Sequence, residues 1–230
     1  MLRLYNLSMT KPRVLLSWSS GKDSAWTLHV LRQQGEYDVV GLLTTVNESA
    51  GRVAMHAVRE QLLEAQAAAA ALPLWRVPIP SPCSNEQYEA AMQAALHRAR
   101  VEHIDAVAFG DLFLEDVRRY REERMADSGL RLLFPLWQRP TPALAREMIA
   151  GGVRAMLTCV DPKQLSPAFA GRELTLDLLS DLPPTVDPCG ENGEFHSFVF
   201  AGPMFRHAIP ISGGEIVERD GFVFADVLPG

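Results

Sequence analysis

Six residues, Ser19-Ser20-Gly21-Lys22-Asp23-Ser24, carry the strongest chemical signal in the chain. They lie between an apolar run, Val14-Leu15-Leu16, and a helix-like run from Ala25 to Leu31. A chain that leaves a buried strand and enters a helix through small residues points several unpaired backbone N–H groups at one spot, where the helix dipole also favours an anion. Lys22 adds a full positive charge. Only three lysines occur, Lys11, Lys22 and Lys163, against 19 arginines, so lysine at this turn supplies a compact charge in place of a fork. A phosphate-bearing ligand is the expected occupant. The segment does not have Walker A spacing, which places four residues between its glycine and Gly-Lys-Ser/Thr. An ordinary strand-to-helix turn with Ser19 or Ser20 as N-cap fits the same local pattern.

A second cluster runs from Asp187 to Ser197 and holds Gly190, Glu191, Asn192, Gly193, Glu194 and His196 within a few residues. The glycines let the backbone turn sharply while Glu191 and Glu194 are expected to face a ligand amine, ammonia or a metal-bound phosphate. A solvated turn before a strand has the same composition. Between Arg118 and Arg124 four arginines are balanced by Glu122 and Glu123, which reads most simply as a solvated helix face with i,i+4 pairs, a phosphate or RNA role being the lesser alternative.

The elements that must position these groups alternate. Short, nearly unbroken apolar runs at Val14 to Ser17, Val39 to Thr44, Leu74 to Ile79, Ala106 to Phe109 and Ala155 to Val160 read as parallel strands buried on both faces. Helices are expected at Ser24 to Gln34, Val53 to Ala71, Asn85 to Val101, Asp116 to Ser128 and Pro142 to Ala150, with Gly35, Gly129 and Gly151 at their C-terminal caps. This pattern predicts an α/β fold, a doubly wound parallel sheet with ligand at the carboxyl ends of its strands. After Phe195 the pattern changes to Phe195 to Phe200, Arg206 to Ile211, Glu215 to Glu218 and Phe222 to Val227, with hairpin turns at Ser212-Gly213-Gly214 and Asp220-Gly221. A small antiparallel C-terminal cap is expected. The expected organisation is a loose lead-in over residues 1–12, a nucleotide domain over 13–165 and a substrate-site and capping region over 166–230 in the same compact unit.

Composition narrows the classes. The 230 residues are 47% hydrophobic with net charge −6, enough for one sizeable core and without a whole-domain attraction to nucleic acid. No leader pattern and no run of eighteen apolar residues occurs, so a cytoplasmic protein with no membrane partner is expected. Cys83, Cys159 and Cys189 form no C-x-x-C pair and indicate neither a disulfide framework nor a cysteine metal site.

The first loop resembles the pyrophosphate loop of the ATP pyrophosphatases, enzymes that cut ATP between its α and β phosphates. Their usual wording is Ser-Gly-Gly-Lys-Asp-Ser, and Ser20 stands where the first glycine would be. Cys189-Gly190-Glu191-Asn192-Gly193-Glu194-Phe195 is similar to the later signature of one branch, the diphthine–ammonia ligase (diphthamide synthase) family. Phe134-Pro135-Leu136-Trp137-Gln138-Arg139, followed by Ala145-Arg146-Glu147-Met148-Ile149, is similar to that family's Leu-Trp-x-Arg stretch and the helix after it. Three motifs in order, from about Arg13 to Ile209, carry the resemblance. Where eukaryotic members carry a Tyr-Gln-Arg-x-Arg-x-Glu type segment, this chain reads Asp116-Val117-Arg118-Arg119-Tyr120-Arg121-Glu122. Arg118 and Glu122 match there and the tyrosine does not, which leaves the nucleotide chemistry intact and the acceptor open.

The resemblance implies a HUP-like fold of the adenine nucleotide alpha hydrolase type and an ATP-dependent ligase releasing AMP and pyrophosphate. Ser19, Ser20, Gly21, Lys22, Asp23 and Ser24 would bind ATP, with Asp23 a ligand for Mg2+. Lys22, Glu191 and Glu194 would be catalytic. Arg118, Glu122, Trp137, Arg139, Asn192 and His196 would face the substrates. Those substrates would be a small-molecule or modified-protein carboxylate and free ammonia, since no glutaminase segment is present; a homo-oligomer is compatible. The excess of arginine and alanine over lysine suggests GC-rich coding and a bacterial source, hence an acceptor other than diphthine. The chain ends at Gly230 without the additional C-terminal domains of longer eukaryotic members, which also suggests a simpler acceptor. Two other readings compete. A sensor that holds adenine nucleotide without turnover would not gather Glu191 and Glu194 near a polyanion, and an RNA-modifying enzyme on this fold would want a cysteine pair and a basic face.

Overall fold

The computed structural model describes residues 10–47, 52–53 and 58–230. Most of the expected lead-in, and residues 54–57 of the helix expected from Val53, lie outside the described residues; Val53 itself belongs to a strand and the helix starts only at Glu60. Strands β1 (Arg13–Ser17), β2 (Asp38–Asn47), the two-residue β3 (Arg52–Val53), β4 (Leu74–Ile79), β5 (Ala106–Ala108) and β6 (Arg131–Leu133) form the first sheet. Five of them are parallel in the order β4-β2-β1-β5-β6, and β3 pairs antiparallel with the last two residues of β2. Alternate side chains feed two separate cores: Val14 and Leu16 of β1 pack on one face, Leu15 on the other. Helices α1 (Lys22–Gln34), α2 (Glu60–Ala70) and α5 (Thr141–Ala150) cover the first face, while α3 (Asn85–Val101) and α4 (Glu115–Met125) cover the second. This is the expected doubly wound arrangement, in which helices occupy both faces. Helix α3 has the expected bounds, and its start is fixed where Ser84 closes a capping box with Gln87.

The second sheet is antiparallel throughout. It comprises β7 (Arg154–Val160), β8 (Phe195–Ala201), β9 (Ile211–Arg219) and β10 (Phe222–Pro229), in the order β8-β7-β10-β9, with the short helix α6 (Leu176–Asp181) inserted after β7. Ala155 to Val160 is therefore not a parallel strand. An apolar run only reports that both faces are covered, and β7 is covered as an interior strand of this second sheet. The fifth parallel strand is β6, three residues with no apolar run long enough to announce it. Arg206 to Ile211 does not form the expected strand, and Ser212-Gly213-Gly214 lies inside β9 and not in a turn. Asp220-Gly221 does join β9 to β10, with φ of 53° and 80°, the backbone of a type I′ hairpin. At the end of α5 the left-handed residue is Gly152 (φ 90°), one place later than expected.

Buried residues of β7, β8 and β10 merge with those of α1, α2 and α5 in one core. Gln66 of α2 sits fully buried at the seam. Its Oε1 accepts from Trp18 Nε1 at 2.9 Å, and its Nε2 donates to the carbonyls of Ser20 at 3.0 Å and Val199 at 2.7 Å. The Val199 N–H of β8 also donates to the Ser20 carbonyl at 3.0 Å. One side chain thus joins the first sheet, a helix and the second sheet. Gln66→Leu leaves the buried Trp18 N–H and a carbonyl without partners, and is expected to cost about 3 kcal/mol in urea denaturation; a loss below about 1 kcal/mol contradicts this role.

Candidate active site

The two motif loops meet over the carboxyl edge of the first sheet. Beyond β1 the chain turns through Ser19, Ser20 and Gly21 into α1, whose N-cap, Gly21, has no capping side chain. Of the first-turn N–H groups, that of Gly21 donates to Ser19 Oγ at 3.3 Å and that of Lys22 to Ser197 Oγ at 3.2 Å, which leaves those of Asp23 and Ser24 for a ligand. Ser20 adopts φ 70°, the left-handed conformation that glycine takes without penalty, and its buried Oγ has no partner. Its carbonyl is the one fixed by Gln66 and Val199, so the turn is held against its own preference. Gly110, just after β5, packs against the loop from the other side: a Cβ there would sit 2.9 Å from the Asp23 carbonyl carbon and the Ser24 nitrogen.

Lys22 is buried and spans the two loops. Its Nζ donates to Asp23 Oδ2 at 2.8 Å and to the carbonyl of Cys189, and lies 5.5 Å from the centre of the Phe195 ring. Burial opposes its charge, but the carboxylates of Asp23 and Glu191 more than offset this, and its pKa lies above the ordinary value. Burial raises the pKa of Asp23, with Asp187 adding to the rise against the pull of Lys22. Asp23 Oδ1 is buried without a partner. Burial, aided by Lys22, lowers His196 to about 4, so its ring is neutral at pH 7.

The second loop is shaped by two carboxylates turned inward. Glu194, expected to face a ligand, is 1% exposed and accepts from the backbone of Asp187 and Asn192 at 2.8 and 2.9 Å and from Asn192 Nδ2 at 3.1 Å. Asp187 takes the N–H groups of Cys189 (2.9 Å) and Glu191 (3.3 Å) and the Thr141 hydroxyl. Gly190 turns the chain at φ 68°, where a Cβ would lie 2.7 Å from the Phe195 carbonyl oxygen. Glu191 is then presented to the cleft. Its Oε1 accepts from Leu112 N at 2.8 Å, and burial pushes its pKa up to about 7, with Asp23 and Asp111 adding to the rise.

A polar cleft of about 230 Å3 results, lined by the first loop, by Glu191 and His196, and by Gly110, Asp111 and Arg121. Beside it lies an apolar cavity of about 400 Å3 walled by Leu43, Ile79, Met92 and Val107; the two share Ser17, Ser19, Phe109 and Arg121. Five of the six residues of the first loop line the cleft, and Ser20 lies beneath it. Of the expected substrate residues, His196 lines the cleft. Asn192 binds Glu194, Arg139 pairs with Glu147, and Glu122 pairs with Arg118 at 2.8 Å. Trp137 packs edge-on to Phe134, and Arg118 lies over both rings at 4.8 and 4.7 Å. The α4 arginines are therefore not simply a solvated face: Arg118 and Arg121 rest on aromatic rings. Trp137 and Arg139 belong to a segment tied to the cleft through backbone, since Gln138 N donates to the Leu112 carbonyl at 2.6 Å. Sequence reasoning missed Gln66, Asp111 and Leu112, and it gave no individual role to Asp187 or Arg121 within the segments it singled out. Gly110-Asp111 could have been found as the segment leaving a parallel strand at its carboxyl end.

A polar cleft at a helix N-terminus beside an apolar cavity, at the carboxyl edge of a parallel sheet, is where open α/β proteins place their ligands, and the fold is of that class. Residues 12–132 match the diphthamide synthase N-terminal domain and residues 141–225 match the diphthamide synthase C-terminal domain. The chain belongs to the diphthamide synthase family. It is 30% identical to the diphthine–ammonia ligase of Danio rerio, covering 94% of this chain and 92% of that protein, and 28% identical to that of Homo sapiens, covering 94% and 88%. The diphthine–ammonia ligase of Schizosaccharomyces pombe is 31% identical over 50% of this chain and 20% of its own length. Membership makes the chain an ATP-dependent carbon–nitrogen ligase. Among the described residues no helix is long and apolar enough to cross a membrane.

Two expectations follow from the geometry. Ser20→Gly removes a left-handed serine and an unpartnered buried hydroxyl, and is expected to stabilise the fold by about 1 kcal/mol in urea denaturation; a loss of stability would contradict the strain at Ser20. Glu191 has a folded-state pKa of about 7, above the ordinary 4.5, so its contribution to stability is complete at low pH and is lost as pH rises through about 7. Glu191→Gln should match the parent in thermal midpoint at pH 4.5 and exceed it at pH 8.5; equal midpoints at both values refute the shift.

Proposed function

We propose that the enzyme activates a carboxylate acceptor with ATP, releasing pyrophosphate, and that ammonia then displaces AMP to give an amide. One observation carries this reading: Lys22 reaches across a single cleft from the phosphate loop to the Cys189 carbonyl, so an anion-holding loop and an acidic loop act on the same space. The apolar cavity would take the base, and the first turn of α1 with Lys22 would hold the β and γ phosphates. An acceptor carboxylate oxygen attacks the α-phosphorus, and the bond to the bridging oxygen breaks with its electron pair leaving on pyrophosphate. Donors fixed around that leaving group lower the barrier because they need no reorganisation.

In the second half ammonia attacks the acyl carbon, the bond to AMP oxygen breaks, and the nitrogen sheds a proton. Glu191 is the group we assign to receive it, since a carboxylate titrating near 7 is matched to proton transfer at neutral pH. Neutral His196 would offer a hydrogen bond without a charge. Glu194 would act as a positioning residue, holding the loop that presents Glu191.

Magnesium fits the donor set in part. Asp23 Oδ1 is buried without a partner and would accept a cation. No group of three or more His, Cys, Asp or Glu side chains among the described residues could hold a metal alone, so phosphate oxygens and water would complete the shell, as is usual for magnesium. Bound there, the ion would offset phosphate charge.

The test uses ATP labelled at the α-phosphate, magnesium, ammonium and a carboxylate-rich metabolite extract. Label appearing as AMP only when the extract is present is expected; label appearing as ADP overturns α-phosphate chemistry. Lys22→Ala should lower AMP formation by about 100-fold or more with the far-ultraviolet spectrum unchanged.

A further inference from the structure

Arg121 occupies a position that neither loop motif explains. It stands on α4, one turn after Arg118, and is one of the few residues lining both the polar cleft and the apolar cavity. Its guanidinium stacks over the Phe109 ring at 4.4 Å, and Nε and Nη2 donate to the two carboxylate oxygens of Asp111 at 2.6 and 3.0 Å. Both side chains are largely buried, at 27% and 13% exposure. A fork gripped along one edge by a carboxylate and across its face by a ring has a fixed plane. The remaining nitrogen, Nη1, has no partner among the described residues. An arginine needed only to close α4 against β5 would gain nothing from standing where two cavities join.

The chemistry of the junction follows from its neighbours. A ligand with its anionic end at the N-terminus of α1 and a flat apolar end between Leu43, Ile79 and Val107 must cross the shared wall of Ser17, Ser19, Phe109 and Arg121. In a nucleoside phosphate the group that lies between base and terminal phosphates is the sugar with its first phosphoryl group. Asp111 cancels most of the net charge of Arg121, so what the guanidinium offers there is a directed N–H donor. Such a donor discriminates by geometry more than by long-range attraction.

We propose that Arg121, held in plane by Asp111 and Phe109, is the residue that contacts the α-phosphoryl group of the bound nucleotide. The assignment rests on the nucleotide reading of the cleft given above. It divides the phosphate chain between two cations: Lys22 for the β and γ groups, Arg121 for the α group at which substitution occurs. During that substitution the α-phosphorus passes through a five-coordinate arrangement whose equatorial oxygens carry charge. A donor fixed beside them stabilises that state.

Binding of three probes by calorimetry separates the possibilities: adenosine, AMP and inorganic pyrophosphate, each with the parent enzyme, Arg121→Gln and Lys22→Ala. Arg121→Gln is expected to weaken AMP about tenfold while leaving adenosine and pyrophosphate within twofold, as loss of one charge-assisted hydrogen bond predicts. Lys22→Ala should show the reverse, losing pyrophosphate and keeping AMP. Unchanged AMP affinity in Arg121→Gln, or equal losses for adenosine and AMP, overturns the assignment. If Arg121→Gln does not fold, Arg121→Lys replaces it; it retains charge but not the fork, and must also weaken AMP selectively. Failure of the parent enzyme to bind any of the three probes would instead refute the nucleotide reading itself.

Discussion

Gln66 joins three parts of the molecule that have little else in common. Its amide ties the residue after β1, the carbonyl of the strained Ser20 and the backbone of β8 within one buried core. An amide is suited to this because it donates and accepts at once, and its buried valences are nearly all used. Arg32 adds to the same join from α1, donating to the carbonyls of Ala70 and Met204. The antiparallel sheet is in this sense part of the phosphate loop. Without Val199 and Gln66 on its carbonyl, a serine at φ 70° has no reason to stay there.

A second dependency runs the other way. The acidic loop owes its form to Asp187 and Glu194, which satisfy the backbone that Gly190 and Gly193 expose, and only then does Glu191 stand in the cleft. Glu191 in turn takes its hydrogen bond from Leu112, whose carbonyl receives Gln138. The three sequence motifs are therefore linked in series through backbone groups. Residues of the third motif act at a distance: Trp137 and Arg139 shape the segment behind the cleft without lining it.

Much of this was legible in the sequence where local rules decide the outcome. Helix α3 keeps the bounds read from its pattern, Asn85 to Val101, and Asp220-Gly221 announced its own hairpin. The first loop stood out in the sequence because a strand, small residues and a lysine are contiguous, and it does line the cleft. What escaped was set by distant partners. β7 has the composition of a parallel strand and is antiparallel because β8 and β10 flank it. β6 is too short to carry a period. Glu194 and Glu191 are alike in composition and differ only in which backbone groups surround them, and the arginines of α4 look solvated until Phe109, Phe134 and Trp137 are brought beneath them.

Gly110 sets a length. The backbone at the start of α1 rests directly on it, with no room for even a methyl group. The span from the first turn of that helix to Asp111 is thus the thickness of two bare peptide chains in contact. Any side chain at position 110 would act as a spacer, lifting the helix end from the sheet edge. The polar cleft would then widen between α1 and the sheet edge while every charged group that lines it remained in place.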